Sequence, residues 1–279
     1  MEITTEIFYH YCPAMFNPSK DLAERISSFI ERGVEKCRAI AGDALFEKLD
    51  AVSFGPKSVP ADKLTRTADV MNRLICLTAI CAALPSLDLV YTPTGFGVVS
   101  NQNLAPASAD RVNRLREDLV NQGWDAFDEF LSRLRGFEEW RNTPLAGTYF
   151  QSLFWRGRNM MFFGIAQPHR SDLNNAVPDI HRAELVLKNI ISPEQFAALC
   201  RAIFENRELG VVGKAIVLCR TFVVMVAKNY NFHQAKAALL RFMEENSDAF
   251  PEYMNSTEYE ANHYKGYENK RNDTSFFSV

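Results

Sequence analysis

The chain is poor in the residue patterns that carry chemistry. Its six cysteines, Cys12, Cys37, Cys76, Cys81, Cys200 and Cys219, include no C-x-x-C pair. A zinc ribbon or dithiol redox motif is therefore not written in the sequence, and the apolar neighbours of most of them mark reduced, buried thiols. The five histidines, His10, His169, His181, His233 and His263, form no H-x-H or H-x-x-x-H pair, the spacings that set two imidazoles on one metal. No G-x-x-x-x-G-K-[ST] phosphate loop and no G-x-S-x-G nucleophile elbow occurs. Charge of one sign is missing too. A net charge of -3 offers no basic field for anionic membrane or nucleic acid, which disfavours nucleic acid as a sequence-specific partner. The most apolar stretch, residues 211–227, is broken by Lys214 and Arg220, so it reads as a buried core helix and not a membrane span. The opening MEITTEIFYHYCPAM has no basic segment ahead of an apolar run, and no secretion signal is expected.

What the sequence does contain is helical periodicity and enough length, 279 residues with 47% apolar, to bury a sizeable core. Leu22, Ile26, Phe29, Gly33, Cys37 and Ile40 recur at three and four residues and predict a helix that stops near Gly42. Asp43 is placed to cap a short helix bearing Leu45, Phe46 and Leu49. After a proline-rich loop, Leu64, Ala68, Met71, Ile75 and Thr78 predict a third helix ending at Pro85. Residues 87–91 and 96–100, either side of Thr92-Pro93-Thr94-Gly95, predict a β-hairpin. Gly95 and Gly97 lack the third glycine of a dinucleotide loop, and the next helix begins too late for its first amides to meet a phosphate beside them.

Ser108 is the expected N-cap of a long helix over residues 108–135, with Gly123 tolerated inside it. Residues 136–177 show no sustained period and read as a crossing segment, whose Trp140 and Trp155 pack over the helices. Ser192-Pro193-Glu194-Gln195 is a capping box that opens a helix through Phe196, Leu199 and Ile203. Two more helices follow, around residues 211–228 and 232–245. An internal echo aligns Ile40 with Ile190, Phe46 with Phe196 and Leu49 with Leu199.

The expected fold is mainly α: a multi-helix bundle of two similar helical halves, with one small β-hairpin near residues 87–100 and an extended C-terminal arm. The expected divisions are a helical N-terminal half over 1–141, a crossing segment and helical C-terminal half over 142–251, and an aromatic-containing tail over 252–279; a single integrated domain is the alternative. That tail holds Tyr259, Tyr264, Tyr267, Phe276 and Phe277, more aromatics than a disordered segment carries. It packs either on its own core or on a neighbouring subunit. These five residues, with Phe96 of the hairpin, are the interface candidates. No catalytic, cofactor-binding or metal-binding residue is assigned. Arg156 and Arg158, beside Trp155, are the candidate anion contact. Two alternatives stand beside an assembly role. One is an enzyme with a pocket between the helical halves near Trp140, Trp155 and Arg158; the other is a nucleic-acid module using Arg111, Arg114, Arg116, Arg156 and Arg158.

The segments IAGDALFEKL at residues 40–49, ALPSLDLVYTPTGFGVVSNQNLAPAS at 83–108, the arginine-bearing long helix and YENKRNDTSFFSV at 267–279 together resemble a family of uncharacterised prophage-encoded proteins over most of the chain. TGFGVVSNQNLAPAS and YENKRND are the most specific pieces. The front half is also similar, more loosely, to the helical head-tail connector proteins of tailed phages. That resemblance implies a virion structural or assembly protein, most closely a neck or head-tail connector component. Its partners would be other virion proteins or copies of itself. It would lie in the bacterial host's cytoplasm before assembly and in the virion afterwards, with no cofactor and no catalytic residue to carry over.

Overall fold

The computed structural model describes residues 3–12, 22–52, 62–87, 89–92, 95–98 and 108–264. In chain order the helices are α1 (Thr5–Tyr11), α2 (Leu22–Arg25), α3 (Ser27–Ala41), α4 (Asp43–Asp50), α5 (Lys63–Leu87), α6 (Ala109–Leu134) and α7 (Glu138–Arg141). Two 3₁₀ turns, Ala146–Phe150 and Gly157–Phe163, then lead to α8 (Arg170–Ile191), α9 (Pro193–Phe204), α10 (Gly210–Ala227) and α11 (His233–Glu245). A further 3₁₀ turn, Ser247–Ala249, precedes α12 (Pro251–Met254) and α13 (Thr257–Asn262).

The described residues form two compact units, one within 1–150, 154–176 and 204–206, the other within 151–153, 177–203 and 207–264. In the first, α5 is the central element and α1, α3, α4 and α6 all pack against it. Most of its apolar residues consequently face the core, with Met71, Ile75, Cys76, Ile80 and Ala83 fully buried. Phe8, Phe46, Phe130 and Trp140 complete that core, each worth about 1.5–3 kcal/mol when withdrawn from water. In the second, α10 packs on α11, and Phe222, Leu239, Phe250 and Tyr253 are buried. By length and composition α5 and α10 could each cross a membrane; in both, the buried residues named here belong to the unit's core.

The expected fold class needs correcting, because no β layer enters this architecture. The backbones of Leu89–Thr92 and Gly95–Val98 pair antiparallel, Leu89 opposite Val98, but among the described residues no third strand joins them. Turn chemistry at Pro93 and Gly95 is enough to bring two short segments together, whereas a stable sheet needs more strands or a packed face. Among the described residues the fold is therefore a helical bundle. The extended C-terminal arm is also corrected over its described part. Residues 251–264 hold α12 and α13, Tyr253 is fully buried, and Asn262 donates its Nδ2–H to the oxygen of Ile190 at 3.0 Å. Residues 265–279 lie outside the described residues.

Three capping expectations resolve differently from the sequence pattern. Gly42, with φ 76°, caps α4 in place of Asp43. Ser108 has the extended backbone of an N-cap without a side-chain bond. Ser192 accepts from the amide of Gln195 at 3.1 Å, but the Gln195 side chain does not reach back to it; its Oε1 accepts the amide of Tyr253 instead.

The echo has a local geometric basis. Gly42 and Ser192 both turn the chain with positive φ, 76° and 74°. In each case a cation lies over the phenylalanine of the following helix, Arg38 over Phe46 at 4.4 Å and Lys188 over Phe196 at 4.6 Å.

Candidate functional site

A polar cluster lies in the first unit, where Asp125, Asp128, Glu129 and Ser132 form one stripe of α6 by their three- and four-residue spacing. They line a cleft of about 500 Å³ together with Arg156, Arg158, Met161, Ala166 and Pro168. Sequence reasoning thus found two of the cleft's basic residues, and the structure brings Arg156 and Arg158 together opposite three carboxylates.

Asp128 is the anchor. Buried to 8% exposure, it accepts the Gly157 amide on Oδ2 at 2.6 Å and the Arg170 Nη1 on Oδ1 at 2.5 Å. The same Arg170 nitrogen also donates to the oxygen of Trp155 at 2.8 Å. Burial pushes the Asp128 carboxyl above its ordinary value, while Arg170 and the Gly157 bond pull the other way. Gly157 is required because a β-carbon there would sit 2.6 Å from the amide nitrogen of Arg170 and from the carbonyl carbon of His169. His169 in turn places Nδ1 3.3 Å from Asp125. Arg135 and Arg156 both lie 4.9 Å from the buried Trp155 ring, a stacking that suits the planar guanidinium.

Glu129 serves a second seam, joining α5 to α6 by accepting from Arg73 at 2.6 Å and from Arg133 at 2.6 and 3.1 Å. Burial raises its pKa, but the Arg133 hydrogen bonds and the Arg73 charge outweigh that effect and the net shift is downward. The second unit has a comparable buried acid. Glu184 accepts from the Ser152 hydroxyl at 2.8 Å and the Leu153 amide at 2.9 Å, and burial raises its pKa. Arg220 donates Nε–H to the oxygen of Leu153 at 2.9 Å. Asp128 thus holds Gly157 and Arg170, and Glu184 holds Ser152 and Leu153, each acid fastening a segment distant along the chain. Among the described residues no group of three or more His, Cys, Asp or Glu side chains is placed to hold a metal ion.

The remaining sequence candidates scatter. Arg111 and Arg114 are exposed on the first turns of α6, whereas Arg116 lines an apolar groove, apart from the cleft of Arg156 and Arg158. Tyr259 packs edge-on against Tyr253, ring centres 5.4 Å apart, and lies 4.2 Å from His263. Tyr264 is 76% exposed. Tyr267, Phe276 and Phe277 fall outside the described residues, and Phe96 is described only as backbone of the strand pair. Asp125, Asp128, His169 and Arg170 carried no sequence signal, since their contacts join segments distant along the chain.

A family model described as a family of unknown function, DUF6712, matches residues 37–148 and 229–263, more than half of the chain. No curated protein and no solved structure matches it.

Proposed function

We propose, for a chain that belongs to DUF6712, a family of unknown function, a role as a phage or prophage virion structural or assembly protein, a neck or head-tail connector component acting by protein–protein assembly. The observation that carries the reading is the exposure of large apolar side chains along helices of both units. Val120 and Trp124 on α6 are 37% and 38% exposed, and Leu185, Leu209 and Val217 of the second unit 59%, 85% and 46%. Val120 and Trp124 stand one turn apart and line a common apolar groove, and a contiguous exposed apolar patch marks a protein contact more often than chemistry. The buried acids support the same reading, because Asp128 and Glu184 are committed to holding helices and turns.

The experiment is a truncation placed after Tyr264, since removing residues from 252 onward would also take away the buried Tyr253. Full-length and truncated chains are co-expressed with portal and tail-completion proteins of a tailed phage that carries this gene. The expected result is unchanged helicity in both, co-sedimentation of the full-length chain with the partners, and weaker co-sedimentation of the truncated chain, which keeps the exposed helix faces but lacks Tyr267, Phe276 and Phe277. Failure of the full-length chain to associate with any of them, or with itself, would overturn the proposal.

A further inference from the structure

The first unit contains a groove of about 690 Å³ on the other side of α6 from the acid stripe, and its construction is specific. Its floor is α5, through Leu74, Leu77, Thr78, Cys81 and Ala82. One wall is α3, with Gly33, Cys37 and Ile40; the other is α6, with Val120, Gly123, Trp124 and Phe127. All three stripes recur at three and four residues, the spacing by which helices offer holes to the knobs of another helix. Glycine sits in both walls. A β-carbon on Gly33 would meet Ile75 at 3.3 Å and one on Gly123 would meet Leu77 at 3.9 Å, so both outer helices close down on α5 and leave a trough above it. The described polar side chains in this lining are Thr78 and two cations, Lys36 on the α3 wall and Arg116 on the α6 wall, both exposed.

We infer that this trough, open among the described residues between α3, α5 and α6, receives an acidic amphipathic helix from a partner protein. The stripe from Arg116 to Phe127 runs about 16 Å at 1.5 Å per residue, which accommodates roughly three turns. The partner presents apolar residues at i, i+3 or i+4 and i+7 to the floor, with carboxylates on its two flanks facing Lys36 and Arg116. Opposite charge on both walls fixes which face of the helix enters. The inference does not rest on the connector reading: the groove is tested on the purified chain, with no virion protein present.

Trp124 supplies the readout, because Trp140 and Trp155 are 0% and 2% exposed and Trp124 is 38% exposed. The probe is a helix-forming peptide of about 18 residues with leucines on one face and glutamates flanking them, compared with the same peptide flanked by lysines. We expect the glutamate peptide to shift Trp124 emission to the blue and to bind about tenfold or more tightly than the lysine peptide, two favourable pairs replacing two repulsive ones. K36E/R116E should reverse that order. V120D, at a position exposed enough to leave the fold intact by circular dichroism, should abolish the shift. Equal binding of both peptides, or no shift with either, overturns the inference. Binding of dodecanoate without peptide binding reassigns the groove to an anionic amphiphile. Self-association of the chain alone that V120D removes reassigns it to a second copy.

Discussion

Trp140 donates its indole Nε1–H to the main-chain oxygen of Ile40 at 2.7 Å, on the last turn of α3. That oxygen is one of the four carbonyls a helix leaves without an internal partner, and a fully buried tryptophan supplies the donor. In the other unit Asn262 does the same for Ile190 at the end of α8. The two corners that follow, at Gly42 and Ser192, thus share a closing hydrogen bond as well as a positive φ. Trp140→Phe keeps most of the ring and removes the donor, which leaves a buried acceptor unpaired at about 1–3 kcal/mol. Asn262→Ala, at a less buried site, should cost about 1 kcal/mol. Urea unfolding of each variant checks both values; equal midpoints for Trp140→Phe and the parent chain would show that water satisfies the Ile40 oxygen.

Gly157→Ala should destabilise the first unit more than its size suggests. The new methyl would lie 2.6 Å from two backbone atoms of His169 and Arg170 and could not be accommodated by a side-chain rotation. Either the turn lifts from α6 or the Asp128 bonds stretch, and about 1–3 kcal/mol is expected. Thermal unfolding reads the loss, and a variant as stable as the parent would mean that the 157–170 turn is not held as tightly as the Asp128 contacts imply.

The helices α3, α5, α6, α9, α10 and α11 were legible because each repeats apolar residues at helical spacing. Helix α8 was not. Its first two turns are mostly polar and it contains Pro178, which lacks an amide for the helix, yet Leu173, Ile180, Ala183 and Leu187 are buried along it, while Pro178 sits on an exposed face inside the helix. Tertiary packing of that stripe outweighed a local breaker. The hairpin expectation failed for the converse reason, local turn chemistry without a layer to join. At the candidate site, Arg156 and Arg158 were visible as neighbours of a tryptophan. Asp128 and Arg170 stand 42 residues apart, and nothing local distinguishes Asp128 from a solvated helix acid.

Stability should depend on pH through Glu129 in a defined direction. Its folded pKa lies below the ordinary 4.5, so the unfolded chain takes up the proton first. The contribution is therefore complete above about pH 4.5 and is lost as pH falls through the depressed folded value. Asp128 and Glu184, both raised by burial, act with the opposite sign: folding binds their protons more readily, and stability from them declines as pH rises through their folded values. Glu129→Gln should accordingly lower the melting temperature at pH 7, with the gap to the parent narrowing below about pH 4.5. A gap that stays constant from pH 7 to about 3 would show that the charge of Glu129 contributes nothing beyond its hydrogen bonds.

The thiols give a probe of how completely the two cores close. Burial pushes Cys12, Cys37 and Cys200 up to about 12, and Cys76 and Cys219 are raised as well by the same cause. The reactive species is the thiolate, so at pH 8 these five are both shielded and protonated. Cys81 is the half-exposed one, in the groove floor near the Arg116 charge, which partly opposes the effect of its burial. With a disulfide reagent the native chain should therefore label at Cys81 alone, slowly, and the denatured chain at all six. Occupation of the groove by the acidic peptide should slow Cys81 further. Rapid labelling of several thiols in the native chain would mean that the helices open on the timescale of the reaction, and that α5 is not the rigid centre its burial describes.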